Sequence, residues 1–419
     1  MKNMKKIGLM AIPVSLILVA AAVFVVLQKQ PGEEVIPAKI ADESNYTAEK
    51  LDSLVDSLNA FTFDFYRKVS ENKNVFFSPY SIFVALSMAY EGAHGNTADE
   101  MHNILNILQN DSATRGSFGR LYNRLNQKQE GYTISTANAF WAQQNYEFLK
   151  EYIDILESYY IAEANELDFA DNINAANTIN TWIEENTNHK IKNMTSPGAL
   201  SELTRLVLTN AIYFKGLWAI PFDQDNTNKE DFKITSDETV EVDMMSISKI
   251  KFNYTETNDL QILKLLYKGN DLSMIIILPK ENNISIAEEA LNPINLSNWN
   301  DMLVSQKIPV KLPKFKFETE YTLNDVLDEM GMKDAFVPGV ADFSGMDGTK
   351  DLYISQVLHK AFVEVNEEGT EAAAATEIIV TTEYIPLEFT ADHPFIFLIQ
   401  HEETGAIIFM GKIMNPAAE

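Results

Sequence analysis

Between Leu51 and Pro416 the chain carries no linker, no internal repeat and no low-complexity insert, while helix-period and strand-period signals alternate along it. A run without a break has no place to divide, so helices and strands must share one core in a single large α+β domain. Leu51, Leu54, Val55, Leu58 and Phe65 recur near helical spacing and predict an amphipathic helix at the start of the body. Ile179, Trp182 and Ile183 share one face of a second helix over 176–188. Leu323, Val326, Leu327 and Met330 mark a third, closed by Gly331. Leu206 to Phe214, Leu272 to Leu278, Ala361 to Val365, Phe395 to Gln400 and Ala406 to Met410 are short, β-branched and aromatic, with polar or Gly/Pro residues at their ends. They predict strands.

A hydrophobic content of 46% supplies a core for a body of this size, and with no cysteine in the chain that body holds together without disulfides. The net charge of -27 argues against nucleic acid as a partner, because phosphate binding needs clustered Lys and Arg. The N-terminus differs from the rest. Residues 7–27 are uncharged and mostly apolar, follow Lys2, Lys5 and Lys6, and are long enough as a helix to cross the roughly 30 Å hydrocarbon core of a bilayer. A cleaved signal usually has an apolar region of about 7 to 15 residues, and here Val23 to Leu27 continues past the small residues Ala20 to Ala22. Residues 1–27 are therefore expected to be a membrane anchor at the outer face of the cell membrane, with a cleaved signal peptide and secretion as the alternative. Residues 28–46 are expected to be a polar tether, and 47–419 the folded domain.

Enzyme and metal motifs do not survive inspection. His401-Glu402-Glu403 starts like a zinc helix but has no second histidine at the required spacing and falls in a two-strand pattern. Asp223-Gln224-Asp225 starts like a calcium loop, but Asn228 stands where glycine is needed and Ile234 where a carboxylate should close the cage. There is no Gly-x-Ser-x-Gly elbow and no phosphate-cradling glycine loop. The chain is expected to be no enzyme, with no catalytic residue, no metal and no cofactor.

The segment from Glu367 to Glu383 is the most informative in the chain. Counted with strand period, Thr370, Ala372, Ala374, Thr376, Ile378, Val380 and Thr382 share one face, and Glu371, Glu377 and Glu383 all fall on the other. A segment that becomes a half-buried strand keeps its charges on one parity. Read on its own, the stretch also suits an alanine-rich helix or a plain loop.

Glu367-Glu368-Gly369-Thr370-Glu371 followed by Ala372, Ala373, Ala374 and Ala375 resembles the hinge of inhibitory serpins, of a prokaryotic-like type. Asn74 to Ile82, Thr209 to Trp218, Leu312 to Phe315, Asp342 to Gly345 and His393 to Phe395 also resemble serpin segments, in serpin order, over about Leu51 to Pro416. The resemblance implies a large central, mainly antiparallel sheet, additional sheets, about nine helices and an exposed reactive loop over about 367–394. It implies that Ser78, Ser81, Asn210 and His359 form a polar shutter under the centre of the main sheet. Trp218, Lys314 and Glu367 would form the breach where the hinge enters. It further implies a monomeric suicide substrate of a serine protease: the loop is cut, Thr370 to Thr382 inserts as a strand, and the acyl-enzyme is trapped. Fourteen residues on from Gly369, or eleven back from Pro394, the family's common loop length puts the scissile bond at Glu383-Tyr384. The target must then tolerate Glu before the cut, as an Arg-, Lys- or His-lined pocket would. A non-inhibitory serpin, or an inhibitor of a cysteine protease, is the alternative.

Overall fold

A computed structural model describes residues 39–107, 111–126, 131–370 and 387–418. Thr47 starts the first helix, α1 (Ala48–Val69), by accepting the Lys50 N–H on its hydroxyl, and Leu54, Val55, Leu58, Phe61 and Phe65 turn inward from it. The helix begins a few residues before the predicted start, where this cap lies. It is followed by α2 (Pro79–Tyr90), α3 (Gly95–Leu105), α4 (Ser112–Asn126), α5 (Lys150–Ile155) and α6 (Asn172–Asn186). Later come α7 (Ile284–Ala290), α8 (Pro293–Met302), α9 (Asn324–Met330) and α10 (Ser344–Asp347), ten α-helices among the described residues. The α6 helix starts before the predicted residue 176 because Asp171 caps it, accepting from Asn174 N–H. Gly331 closes α9 in the left-handed region, as its position predicts.

Among the described residues, seventeen strands form three sheets. The central sheet runs β12 (Phe315–Thr322), β13 (Ile354–Val365), β4 (Leu206–Leu217), β2 (Tyr132–Gln143), β3 (Glu163–Leu167), with β14 (Gly369–Thr370) attached to β4. A second, wholly antiparallel sheet lies in the order β1 (Val75–Phe77), β17 (Ile407–Ile413), β16 (Phe395–His401), β9 (Leu272–Pro279), β8 (Leu260–Leu266), β7 (Lys251–Glu256), β10 (Val304–Lys307). The third is β15 (Phe389–Thr390), β11 (Val310–Pro313), β6 (Thr239–Ile247), β5 (Asn228–Lys233). The architecture is α+β, as expected.

Strand alternation gives the central sheet two different faces. Ala137, Ala139, Trp141, Val207 and Ala211 meet Ala175, Ala176, Ile179 and Ile183 of α6 on one side. On the other, Ile134, Phe140, Leu208, Ile212 and Phe214 join the main core with α2 and the second sheet. Rings of Phe76, Phe397 and Phe409 stack between the sheets at 5.3–5.9 Å. In the central sheet β4 and β13 run parallel and adjacent, paired from Ile354–Leu206 to Phe362–Tyr213 with one register shift between Ile354 and Gln356.

Residues 39–46, expected as the end of the tether, lie against α4. Ala41 exchanges two backbone hydrogen bonds with the Asn123 amide, and Gly119 permits the approach, since a Cβ there would stand 2.2 Å from the Asp42 carbonyl oxygen. Residues 7–27 lie outside the described residues. Among those described, no helix is long and apolar enough to cross a membrane.

Candidate functional site

At the end of β13 the chain reverses on Asn366 to Gly369. The Asn366 side chain accepts from Glu368 N–H at 3.1 Å, and Asn366 and Gly369 bridge through their backbones. Gly369 has φ 138, and a Cβ on it would fall 2.2 Å from the Gly216 carbonyl oxygen and 2.7 Å from Leu217 Cα. Only glycine lets the returning chain come this close. It returns as β14, with Gly369 and Thr370 paired antiparallel to Leu217 and Gly216 of β4.

The turn is fixed from beneath. Trp218 N–H donates to Glu368 O at 2.8 Å, Trp218 Nε1–H to Asn366 O at 3.1 Å, and Phe222 N–H to Glu367 O at 2.7 Å. Trp218 itself stacks on Tyr267 at 4.6 Å. The Glu367 carboxylate is buried and is held by the Thr227 hydroxyl at 2.8 Å and by Lys314 Nζ at 3.0 Å. Burial alone would push its pKa up, but these hydrogen bonds and the lysine charge hold it below the usual glutamate range. Glu368 shifts the opposite way, raised by burial and by the neighbouring Glu367 charge. Trp218, Lys314 and Glu367, paired in the sequence analysis through family resemblance, are thus brought together at one end of β4.

Further along β4, Asn138 of β2, Asn210 of β4 and His359 of β13 stand in register on three adjacent strands. His359 Nε2 faces the Ser78 backbone N–H at 3.1 Å. Because that N–H can only donate, Nε2 is the bare nitrogen, and Nδ1–H donates to Asn210 Oδ1. The Asn210 amide donates in turn to Ser81 Oγ and to Asn138 Oδ1. Ser78 caps α2, accepting from Ser81 N–H and donating to Ile408 O at 2.7 Å. His359 is fully buried, which pushes its pKa down to about 3. The four residues Ser78, Ser81, Asn210 and His359 form one hydrogen-bonded group under the sheet.

Asn138 belongs to the same group and was not singled out from the sequence. Its signal is parity: it sits on the core-facing set of β2 with Ile134 and Phe140, where a polar residue needs a partner. Thr227 and Tyr267 had no such signal. Glu371, Ala372, Ala373, Ala374 and Ala375 of the expected hinge, and Glu383 and Tyr384 of the expected scissile bond, lie outside the described residues. The far end of the loop is anchored again at β15, which pairs parallel to β11, and at His393, whose Nε2–H donates to Pro279 O at 2.7 Å. The two incomplete motifs take structural places instead. Glu402 pairs with Lys264 at the β16–β17 turn, and Asp223 caps a short turn through Asp225 N–H.

The family model for serpins, serine protease inhibitors, matches residues 56–416. An uncharacterized serpin-like protein of Thermococcus kodakarensis is 45% identical over 371 residues, covering 87% of this chain and 86% of its own length. Serpin B6 of Pongo abelii is 41% identical over 380 residues, covering 87% of this chain and all of its own. The crystal structure of Serpin48, a highly specific serpin of the insect Tenebrio molitor, superposes with a TM-score of 0.77 at 35% identity, over 87% of this chain and 98% of its own. With its sheets in serpin order and its match running through almost the whole folded body, this chain belongs to the serpin family.

Proposed function

We propose that this serpin is a monomeric suicide inhibitor of serine proteases, cut at Glu383-Tyr384. The observation that carries the reading is the opening at the end of the central sheet. The β4–β13 ladder stops at Phe362–Tyr213, and beyond it Gly369 and Thr370 already occupy the neighbouring edge of β4. A strand entering between two parallel strands runs antiparallel to both, and β14 has that direction. The protease serine attacks the Glu383 carbonyl, the bond to Tyr384 breaks, its amine leaves with a proton, and an ester joins Glu383 to the enzyme. Insertion of Thr370 to Thr382 then carries the ester some 45 Å, at about 3.3 Å per residue, before water reaches it. The inhibitor supplies no catalytic group, only free energy released as pairing and burial. Residues 7–27 would hold it at the outer face of the membrane.

The test is incubation of the folded body with serine and cysteine proteases, denaturing gels, and sequencing of the released C-terminal peptide. The expected result is a covalent complex with a glutamate-accepting serine protease and a peptide starting at Tyr384. Cleavage without complex across the panel would make the chain a non-inhibitory serpin; a complex with cysteine proteases alone would move the target class.

A further inference from the structure

The β4–β13 seam is held at its lower end by side chains as well as by the ladder. Pairing runs from Phe362–Tyr213 down to Gln356–Val207 and then shifts, so that Ile354 pairs with Leu206 and Ser355 is skipped. An extra residue in one strand makes a bulge, which turns a side chain out of the ladder. Asn324, the first residue of α9, holds this one: its amide N–H donates to Ser355 O at 3.1 Å and its Oδ1 accepts from Val357 N–H at 3.0 Å. The Ser355 hydroxyl is thereby placed to accept the Arg205 N–H at 2.9 Å. Tyr353 OH donates to Leu203 O at 2.6 Å, and Gln356 Nε2–H to Ala199 O at 2.6 Å. All three bonds run from the β13 side to backbone groups of the segment that leads into β4.

The register of β14 puts these groups in the path of insertion. Gly369 and Thr370 stand opposite Leu217 and Gly216, and each further residue of an antiparallel strand moves one residue back along β4. Val380 would therefore face Leu206, the first residue of β4, and Thr381 and Glu383 would face Arg205 and Leu203. Admitting a strand moves β4 and β13 apart by about 4.8 Å. Bonds of 2.6–2.9 Å do not survive that separation. The freed Arg205 N–H and Leu203 O are backbone groups, which an arriving strand can pair again. Side chains from β13 and its flank thus hold the places that Thr381 to Glu383 would take.

We infer that Tyr353, Ser355 and Gln356 form a latch at the lower end of the seam, and that its release is the last step of insertion. The inference rests on the inhibitory reading and adds to it the residues that time its final stage. The ester sits on Glu383, the residue that reaches the latch last, so a closed latch leaves it exposed to water for longer. Because the backbone groups are paired again, the latch governs the rate of entry and not its final extent.

Added peptides test this without a protease. A synthetic peptide of residues 370–383 spans the seam through the latch, whereas one of residues 370–376 ends opposite Asn210, about 16 Å short of Arg205. Entry of each labelled peptide into the intact protein is followed with time on native gels, for the parent and for the double variant Tyr353→Phe, Ser355→Ala, which loses only two hydroxyls. The long peptide is expected to enter the double variant about tenfold faster than the parent, and the short one at a rate unchanged within about twofold. Tyr353→Phe alone should speed the long peptide about threefold. Equal acceleration of both peptides would mean a loosened sheet and no latch, and an unchanged rate for the long peptide would remove the latch as well. Entry of neither peptide into the parent would instead contradict the inhibitory reading, and the latch would fall with it.

Discussion

His359 stays neutral because its ring is sealed between Ser78 and Asn210, with one nitrogen accepting and the other donating. Its folded pKa of about 3 lies below the roughly 6.5 of an unfolded histidine, so between these values the unfolded chain binds more protons. Stability from this residue is therefore present above about pH 6.5 and lost as the pH falls toward 3. Between pH 7 and 5 the linkage amounts to about 2 kcal/mol, above the range where most carboxylates titrate. Burial lowers His401 as well, so a variant is needed to separate the two. His359→Gln should be less stable at pH 7 but lose about 2 kcal/mol of the decline toward pH 5, measured by urea unfolding. A decline as steep as in the parent would remove His359 from the account. Asn138 makes the complementary point at this scale. Strand parity marks it as a polar residue on the core-facing set, but its partners Asn210 and Ser81 are 72 and 57 residues away and have no local signal.

The element that matters most is β14, the first pair of hinge residues on β4. Its register sets position 370 opposite Gly216, on the parity of β4 that Leu208, Ile212 and Phe214 share in entering the core. Thr370→Arg would bring a charge to that parity, costing several kcal/mol unless paired, and should slow insertion at its first step. Deacylation then wins, so the variant should be cleaved and released with little covalent complex on denaturing gels. Glu371→Arg, one residue on, should trap protease as the parent does. Efficient trapping by Thr370→Arg would contradict this parity. The same element shows what a sequence discloses. Alternation placed all the acids of 370–383 on one face, and Gly331 announced the end of α9, because both are local signals. The adjacency of β4 and β13, and the place where their ladder stops, join residues about 150 apart and have no local signature. For the same reason, the grouping of Ser78, Ser81, Asn210 and His359 came from family resemblance and not from spacing.

At the scale of the molecule, the central sheet holds a parallel pair, β4 and β13, whose pairing is less favourable per residue than antiparallel pairing, and both ends of the loop are fixed, at β14 and β15. On the proposed mechanism, an intact loop would hold the inhibitor in this form, and a cut would release one end. The strand inserted after that cut would add ladder hydrogen bonds on both sides as well as buried area. The most direct measurement is the unfolding temperature of the protein before and after a single cut in the loop by a protease it does not trap, with both fragments retained. A rise of more than about 10 °C is the expected result. An unchanged transition, within about 2 °C, would mean that the freed hinge does not enter the sheet and that trapping by insertion is not how this serpin works.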